Sequence, residues 1–390
     1  MRKLIRRSES WCAIAVSAVC VLVVGCVAST VSMPTVISDD SEGKTPELAS
    51  SKQRQGPDEA LYQKAYGLQE QAEKLRQQRP RGGQKAHDAR VDALQKQAFR
   101  TYHELVKNYP ASPRIPNAYL AFGEHYFARG DMEIAREFYE RVAQYEDSEV
   151  YGYAVYKVAW CQVNLHDDRE ALSSFVRVIQ YAEGNPANQQ AKLLARQARR
   201  DLIHPFANAF PPNRAWAFFS RIAHGHEREM MTRLAEQYAD SGQHAETRTA
   251  YHVLMAENER SDRLCHYQLQ VARVSVAAQS PTEILLELRR TLDLMNTFSA
   301  MSHPPGVVTA CRQESATLVG QTAARWRRDA MATRDAETMR LARGLYDAML
   351  DTLPDLDQLQ LDGFTNADRP TRSRVEGWRN DLSQALGGRP

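Results

Sequence analysis

The sequence contains little cysteine, little net charge and no apolar run of transmembrane length. Six cysteines among 390 residues are too few for a scaffold built on disulfides. A formal net charge of +2 argues against a strongly basic nucleic-acid binder, and an apolar share of 43% argues against a wholly disordered chain. We therefore expect either two or three packed domains or one long repeat array, with no nucleic-acid partner.

Motifs of catalysis and cofactor binding are also missing. The sequence has no glycine-rich dinucleotide or phosphate loop, no Gly-x-Ser-x-Gly and no His-Glu-x-x-His. The nearest metal-like cluster is His224-Gly225-His226-Glu227, whose spacing of two does not suit one helix face and which has no third ligand nearby. We interpret it as a polar connector. The sequence thus predicts a protein that is not an enzyme and needs no cofactor or metal.

Residues 1–26 have the parts of a bacterial export signal. Four basic residues among the first seven precede an apolar stretch, Ala13 to Val24, which is shorter than the roughly 20 residues of a spanning helix. The stretch ends in Val23-Val24-Gly25-Cys26, which resembles the lipobox of bacterial lipoproteins. This resemblance implies cleavage before Cys26 and lipidation of its thiol. The alternative is an uncleaved anchor in which Cys26 is incidental.

Residues 27–57 are rich in Ser, Thr, Pro, Asp and Lys and show no sustained apolar period. A flexible chain of this length has a mean reach of roughly 30 Å, so we expect a tether. No Asp follows Cys26, which resembles the outer-membrane sorting signal of Gram-negative lipoproteins. The expected location is the outer membrane, with the protein lipid-anchored and facing the periplasm.

The remainder of the chain repeats itself. Gly130-Asp131 and Ala135 recur 36 residues later as His166-Asp167 and Ala171, inside similar apolar patterns. Small residues at Gly123 and Ala135 would let two paired helices approach closely, while Tyr126 and Tyr139 would fill the space between pairs. This pattern resembles the tetratricopeptide repeat (TPR), a pair of helices that stacks into a solenoid.

The resemblance implies an all-α, TPR-like superhelix of helical hairpins over residues 58–354. We expect about six helical pairs, with the best copies at 116–149, 152–182 and 228–258. No segment alternates apolar and polar residues as a strand would. Residues 355–390 lack a clear period and are predicted to form an irregular C-terminal tail.

Two segments point to a narrower group. Residues 156–161 with Asn164-Leu165, and residues 324–330 with Leu345-Tyr346, are similar to segments of TPR lipoproteins from myxobacteria, a group that includes a component of the gliding-motility machinery. BamD-type and CpoB-type periplasmic TPR lipoproteins are more distantly similar. The resemblance implies a scaffold whose partners are envelope proteins and which helps to assemble or stabilise a multiprotein envelope complex.

One side of each first helix in a TPR pair lines a groove, at positions spaced by three and four. The predicted partner-binding residues are Glu124, Phe127, Tyr153, Tyr156, Trp160, Asn164 and Arg200. The aromatic members have a second interpretation, because stripes at helical spacing often pack against the neighbouring repeat. A different functional class also remains open, in which Tyr153, Tyr156 and Trp160 stack on peptidoglycan or another glycan and Glu124 supplies a carboxylate.

Three cysteines remain once the signal is removed and Cys26 is lipidated: Cys161, Cys265 and Cys311. An odd number prevents complete pairing within the chain. Cys265 and Cys311 lie on the first helices of consecutive predicted pairs, so these two can form a disulfide in an oxidising periplasm. The alternative is that all three are small buried apolar residues.

Overall fold

The computed structural model describes residues 56–78, 83–223, 225–366 and 368–387. Over these ranges the regular elements are helices, with no β-strand. The α-helices are α1 Pro57–Gln77, α2 Gln84–Asn108, α3 Ile115–Arg129, α4 Met132–Val142, α5 Tyr151–Asn164, α6 Asp168–Gly184, α7 Gln189–Asp201, α8 Ile203–Ala209, α9 Ala215–Ile222, α10 Glu227–Asp240, α11 His244–Ala256, α12 Leu264–Ala278, α13 Pro281–Ser299, α14 Pro305–Thr333, α15 Ala336–Thr352 and α16 Arg372–Gly387. Single 3₁₀ turns lie at Pro212–Arg214 and Leu356–Gln358. Among the described helices, none has the length and apolarity needed to cross a membrane.

Consecutive helices pack as pairs, and the pairs pack on one another. The pairs are α1–α2, α3–α4, α5–α6, α10–α11, α12–α13 and α14–α15. Helices α7 to α9 stand between the third and fourth pairs, with α7 in the position of a first helix. The first helices α3, α5, α7 and α10 contact one another in that order, as do α12 and α14. This arrangement is the predicted all-α, TPR-like array, because each pair covers its apolar side with the next pair.

Sharp turns with left-handed backbone join the helices within pairs. Gly130, His166, Gly242 and Arg334 have φ angles of 83°, 63°, 69° and 58°, and each lies within two residues of the end of a first helix. Glycine adopts this conformation without the steric cost that a Cβ brings. The recurrence of one turn geometry in four pairs, including the aligned Gly130 and His166, is the backbone counterpart of the sequence repeat.

Helix α7 ends before Pro205. The pattern of residues 195–209 predicts one helix that Pro205 should kink or shorten. The structure instead separates α7 and α8 at Leu202. Proline has no N–H with which to bond the carbonyl of Asp201, four residues earlier, and its ring crowds that carbonyl. The break therefore falls in the turn that precedes Pro205.

The predicted irregular tail over residues 355–390 is wrong for much of its length. Leu356–Gln358 forms a 3₁₀ turn and Arg372–Gly387 forms α16, which packs on α15. Val375 and Leu382 are fully buried, and the Arg327 guanidinium lies 5.3 Å from the ring centroid of Trp378. Helix α16 covers the end of the array, which would otherwise expose the apolar side of the last pair.

Close approach within the α3–α4 pair depends on a missing side chain. A Cβ placed on Gly123 would lie 2.6 Å from a ring carbon of Tyr139, whose side chain is fully buried. The predicted role of Gly123 in helix contact is thus confirmed. Tyr139 cannot withdraw into solvent, so any larger residue at position 123 must push the two helices apart.

We expect Gly123→Ala to lower the free energy of unfolding by about 1–2 kcal/mol, because overpacking outweighs the helix propensity that alanine adds. The matched control is Gly67→Ala in α1, where nothing lies within 4 Å of the new Cβ. That variant should raise the free energy of unfolding by about 0.5–1 kcal/mol. Urea unfolding followed by far-UV circular dichroism measures both. Equal shifts in the two variants would contradict the packing argument.

Candidate functional site

The predicted groove residues lie on three first helices that are neighbours in space. Helix α3 carries Glu124 and Phe127, α5 carries the next four, and α7 carries Arg200. The structure brings them together as two clusters. We call the first the lysine cluster, comprising Glu124, Phe127, Tyr139, Tyr153 and Lys157. We call the second the Tyr–Trp cluster, comprising Tyr156, Trp160, Phe175 and Asp201.

The lysine cluster joins α3 to α5 around a buried ammonium group. Lys157 Nζ lies 3.4 Å from Glu124 Oε1 and 3.5 Å from the ring centroid of Phe127. Tyr139 Oη donates a hydrogen bond of 2.8 Å to the same carboxylate oxygen. The Lys157 side chain is 11% exposed, so its charge is stabilised by the carboxylate and the ring face and little by water.

The tyrosines of this cluster stay protonated. Burial, and after it the charge of Glu124, raises the pKa of Tyr139 and of Tyr153 far above the usual value of 10.0. Both phenols therefore remain hydrogen-bond donors at physiological pH. Glu124, Phe127 and Tyr153 thus take part in contacts that join the two repeats, and each keeps part of its surface exposed.

The Tyr–Trp cluster joins α5 to α7. Tyr156 Oη donates a hydrogen bond of 2.6 Å to Asp201 Oδ2. The rings of Tyr156 and Trp160 each meet the buried Phe175 ring edge-to-face, with centroids 5.9 Å and 6.2 Å away. Both rings remain half-buried. They therefore pack against α6 and also keep part of their surface exposed.

The last two predicted groove residues lie at the ends of their helices. Asn164 is exposed, and its side-chain amide donates a hydrogen bond of 2.7 Å to the backbone oxygen of Trp160. Arg200 Nε donates a hydrogen bond of 2.9 Å to Asp201 Oδ1, and its side chain is 60% exposed. Asp201 thus links Arg200 to Tyr156. At this point of the surface an aromatic ring therefore lies close to charged side chains.

Lys157 is a member of the lysine cluster that was not among the predicted groove residues, although the sequence carries a signal for it. It is the one charged residue of α5, and Glu124 is the one acidic residue of α3. A lysine and a glutamate on apolar stretches of the consecutive first helices α3 and α5 are expected to pair, because an unpaired buried charge is costly. To predict this ion pair, one would have to know that α3 and α5 are in contact.

We expect Glu124→Ala to lower the free energy of unfolding by about 2 kcal/mol, because it leaves the Lys157 ammonium without its anion. Adding Lys157→Met should recover most of this loss, since methionine fills the ring-lined space without a charge. Urea unfolding of both single variants and the double variant provides a double-mutant cycle. A double variant less stable than Glu124→Ala would show that the pair is not coupled in this way.

The cysteines fall into three situations. Cys26 lies outside the described residues. Cys161 is a free thiol, buried on α5, and burial raises its pKa to about 12, which disfavours the reactive thiolate. Cys265 on α12 and Cys311 on α14 form a disulfide, with Cα atoms 5.9 Å apart.

Over residues 56–78, 83–223, 225–366 and 368–387, no group of three His, Cys, Asp or Glu residues could hold a metal ion.

No family profile matches the chain, and no curated protein matches it. Among solved structures, the chain is similar to a crystal structure of a tetratricopeptide repeat protein from Parabacteroides merdae ATCC 43184. The match has 12% sequence identity and a TM-score of 0.31, and it covers 82% of this chain and 99% of that chain. The assignment to a TPR-like array rests on the helical pairs and turns described above.

Proposed function

We propose that this protein is a non-enzymatic scaffold that binds protein partners along the exposed side of its first helices. The observation that carries the proposal is the Tyr–Trp cluster, where two half-buried aromatic rings and an exposed guanidinium lie together across α5 and α7. Aromatic and arginine side chains in such settings supply much of the binding energy of protein interfaces. A stack of helical pairs also presents an extended surface to a partner.

The proposal includes a place for the scaffold: the periplasmic side of the outer membrane, with the chain anchored through a lipid on Cys26. The lipobox-like ending of residues 1–26 and the polar composition of residues 27–57 support it. The Cys265–Cys311 disulfide is consistent with it, because disulfides persist in oxidising compartments such as the periplasm. On this basis the partners are envelope proteins, and assembly of an envelope complex, with gliding motility as the candidate process, is the proposed role.

The binding surface is tested by cross-linking in cells that express the full chain, followed by mass spectrometry of the captured proteins. Trp160→Ala should abolish capture of a reproducible partner set. The matched control is Trp216→Ala, which removes a half-buried tryptophan from α9 and should leave capture unchanged. Equal capture by both variants would rule out the proposed surface. Trp160-dependent binding to purified peptidoglycan, without protein partners, would favour the glycan alternative.

The anchor is tested separately by fractionating the envelope. The unaltered chain should sediment with outer membranes, and Cys26→Ser should abolish incorporation of labelled fatty acid. A Cys26→Ser chain that still incorporates label would show that the anchor is placed wrongly.

A further inference from the structure

The exposed side of α7 carries positive charge that the fold does not neutralise. Within α7 the sequence runs through four basic residues before its one acidic residue, Asp201. We call Lys192, Leu193, Arg196 and Arg199 the basic face, because their spacings of three and four place them on one side of the helix. In the part of the chain that the structure describes, no carboxylate forms an ion pair with Lys192, Arg196 or Arg199.

Arg199 is the member of the basic face whose charge is partly removed from water. Its side chain is half-buried, and burial lowers the pKa of its guanidinium. Glu229 and Glu183 oppose this shift from a distance, while Arg196 adds to it. A half-buried guanidinium without a close anion gains from any carboxylate that a partner brings.

Leu193 gives the basic face an apolar centre. It is 52% exposed, more than any other large hydrophobic residue of the described chain, and Lys192 and Arg196 flank it. An isolated exposed leucine has no special meaning. Here it stands inside a charged row that continues, through Arg200 and Asp201, to the ring of Tyr156.

Helix α2 shows what an ordinary solvated face looks like in the same protein. Lys96 and Arg100 are exposed and four residues apart, as Lys192 and Arg196 are on α7. Asp92 and Glu104 stand four residues before and after that pair, so an acidic residue flanks the two basic ones on each side. On α7 the corresponding neighbours are Asn188 and Arg200. The positive row of α7 therefore differs from the usual compensated helix surface.

We propose that the basic face of α7 docks an acidic segment of a protein partner, with carboxylates on Lys192 and Arg196 and an apolar side chain on Leu193. This inference rests on the proposed scaffold function and names the chemistry of the partner. Charge complementarity identifies the occupant as anionic. A peptide chain fits better than a flat lipid surface, because a chain can bring a carboxylate to the half-buried Arg199 as well as to the exposed Lys192 and Arg196.

Short fluorescent peptides test the proposal against the full chain in detergent. Each peptide carries several glutamates around one leucine, with the leucine moved through the set, and each has a counterpart with glutamine in place of glutamate. Fluorescence anisotropy should show binding of glutamate peptides only, weakening as salt is added. The charge-reversal variant Lys192→Glu/Arg196→Glu should weaken binding about tenfold or more. Lys96→Glu/Arg100→Glu on α2 is the matched control and should leave affinity unchanged.

Three results would overturn the inference. The first is no preference for any glutamate peptide, and the second is equal weakening of peptide binding by both charge-reversal variants. The third is that binding of phosphatidylglycerol vesicles depends on Lys192 and Arg196 whereas peptide binding does not. Far-UV circular dichroism checks that both variants fold. Lys192→Gln/Arg196→Gln, a milder change at the same exposed positions, should show a smaller loss of affinity in the same direction.

The result also separates this inference from the scaffold function on which it rests. Trp160-dependent capture of partners in cells, without α7-dependent peptide binding, would support the scaffold function and contradict the docking of an acidic segment on α7. Peptide binding that depends on α7, without any reproducible partner in cells, would support the basic face as a site for acidic segments and count against the scaffold function.

Discussion

Replacing Cys265 and Cys311 together by alanine should lower the free energy of unfolding of the α12–α15 region by about 4 kcal/mol. The two residues are 46 positions apart and are 3% and 4% exposed. Opening a loop of this length returns a large conformational entropy to the unfolded chain, and the chain-entropy estimate is about 4 kcal/mol. Urea unfolding in buffer without reductant measures the loss, and hydrogen exchange shows whether it is confined to the helices near the bridge.

Reduction supplies the control for this prediction. Dithiothreitol should lower the stability of the unaltered protein by a similar amount and leave that of the double alanine variant unchanged. Cys161→Ala removes the free thiol instead, so its stability should respond to reductant as the unaltered protein does. If reductant does not affect the unaltered protein, the disulfide contributes nothing to its stability and the prediction is wrong.

Phe175→Ala should lower the free energy of unfolding by about 3–5 kcal/mol, the usual cost of removing a buried phenylalanine. Phe175 is fully buried on α6, and its ring makes edge-to-face contacts with the rings of both Tyr156 and Trp160. The cavity would remove the contact that fixes these two rings, so we expect weaker partner capture as well as lower stability. Urea unfolding and the capture experiment read the two effects on the same variant.

Two variants bracket the effect. Phe175→Leu retains most of the apolar volume and should cost about 1–2 kcal/mol. Leu286→Ala on α13 removes a side chain that is 50% exposed, and its cost should be well below that of Phe175→Ala. A loss no greater for Phe175→Ala than for Leu286→Ala would show that Phe175 does not support the two rings.

The C-terminal helix shows where prediction from sequence ended. Only Val375 and Leu382 of α16 are fully buried, and they are seven residues apart. Trp378 and Leu386 pack half-buried against the same core, so the four positions follow the spacing of three and four that marks an amphipathic helix. The helix is stabilised by contacts that no local pattern contains, such as Arg327 on α14 against Trp378. The sequence therefore carries a signal for this helix, and the prediction of an irregular tail is wrong because it did not use that signal.

The sequence predicted the helix face on which the candidate-site residues lie, and it did not predict which side chains they contact. The spacing of Tyr153, Tyr156 and Trp160 correctly places them on one side of a helix, where a partner or a neighbouring repeat could meet them. The structure shows contacts with neighbouring repeats, through Lys157 and Glu124 on one side and Asp201 on the other. Whether a partner also binds their exposed faces stays a prediction.

The sequence by itself determined that the protein is an array of helical pairs, because a spacing of 36 residues, small residues at close approaches and the recurring turn are local features that one chain segment carries. Only the tertiary structure decided which side chains meet. The Lys157–Glu124 pair, the Tyr156–Asp201 hydrogen bond and the uncompensated charge of α7 depend on which helices become neighbours. Periodicity predicts the face of a helix, whereas burial and ion pairing depend on what packs against that face.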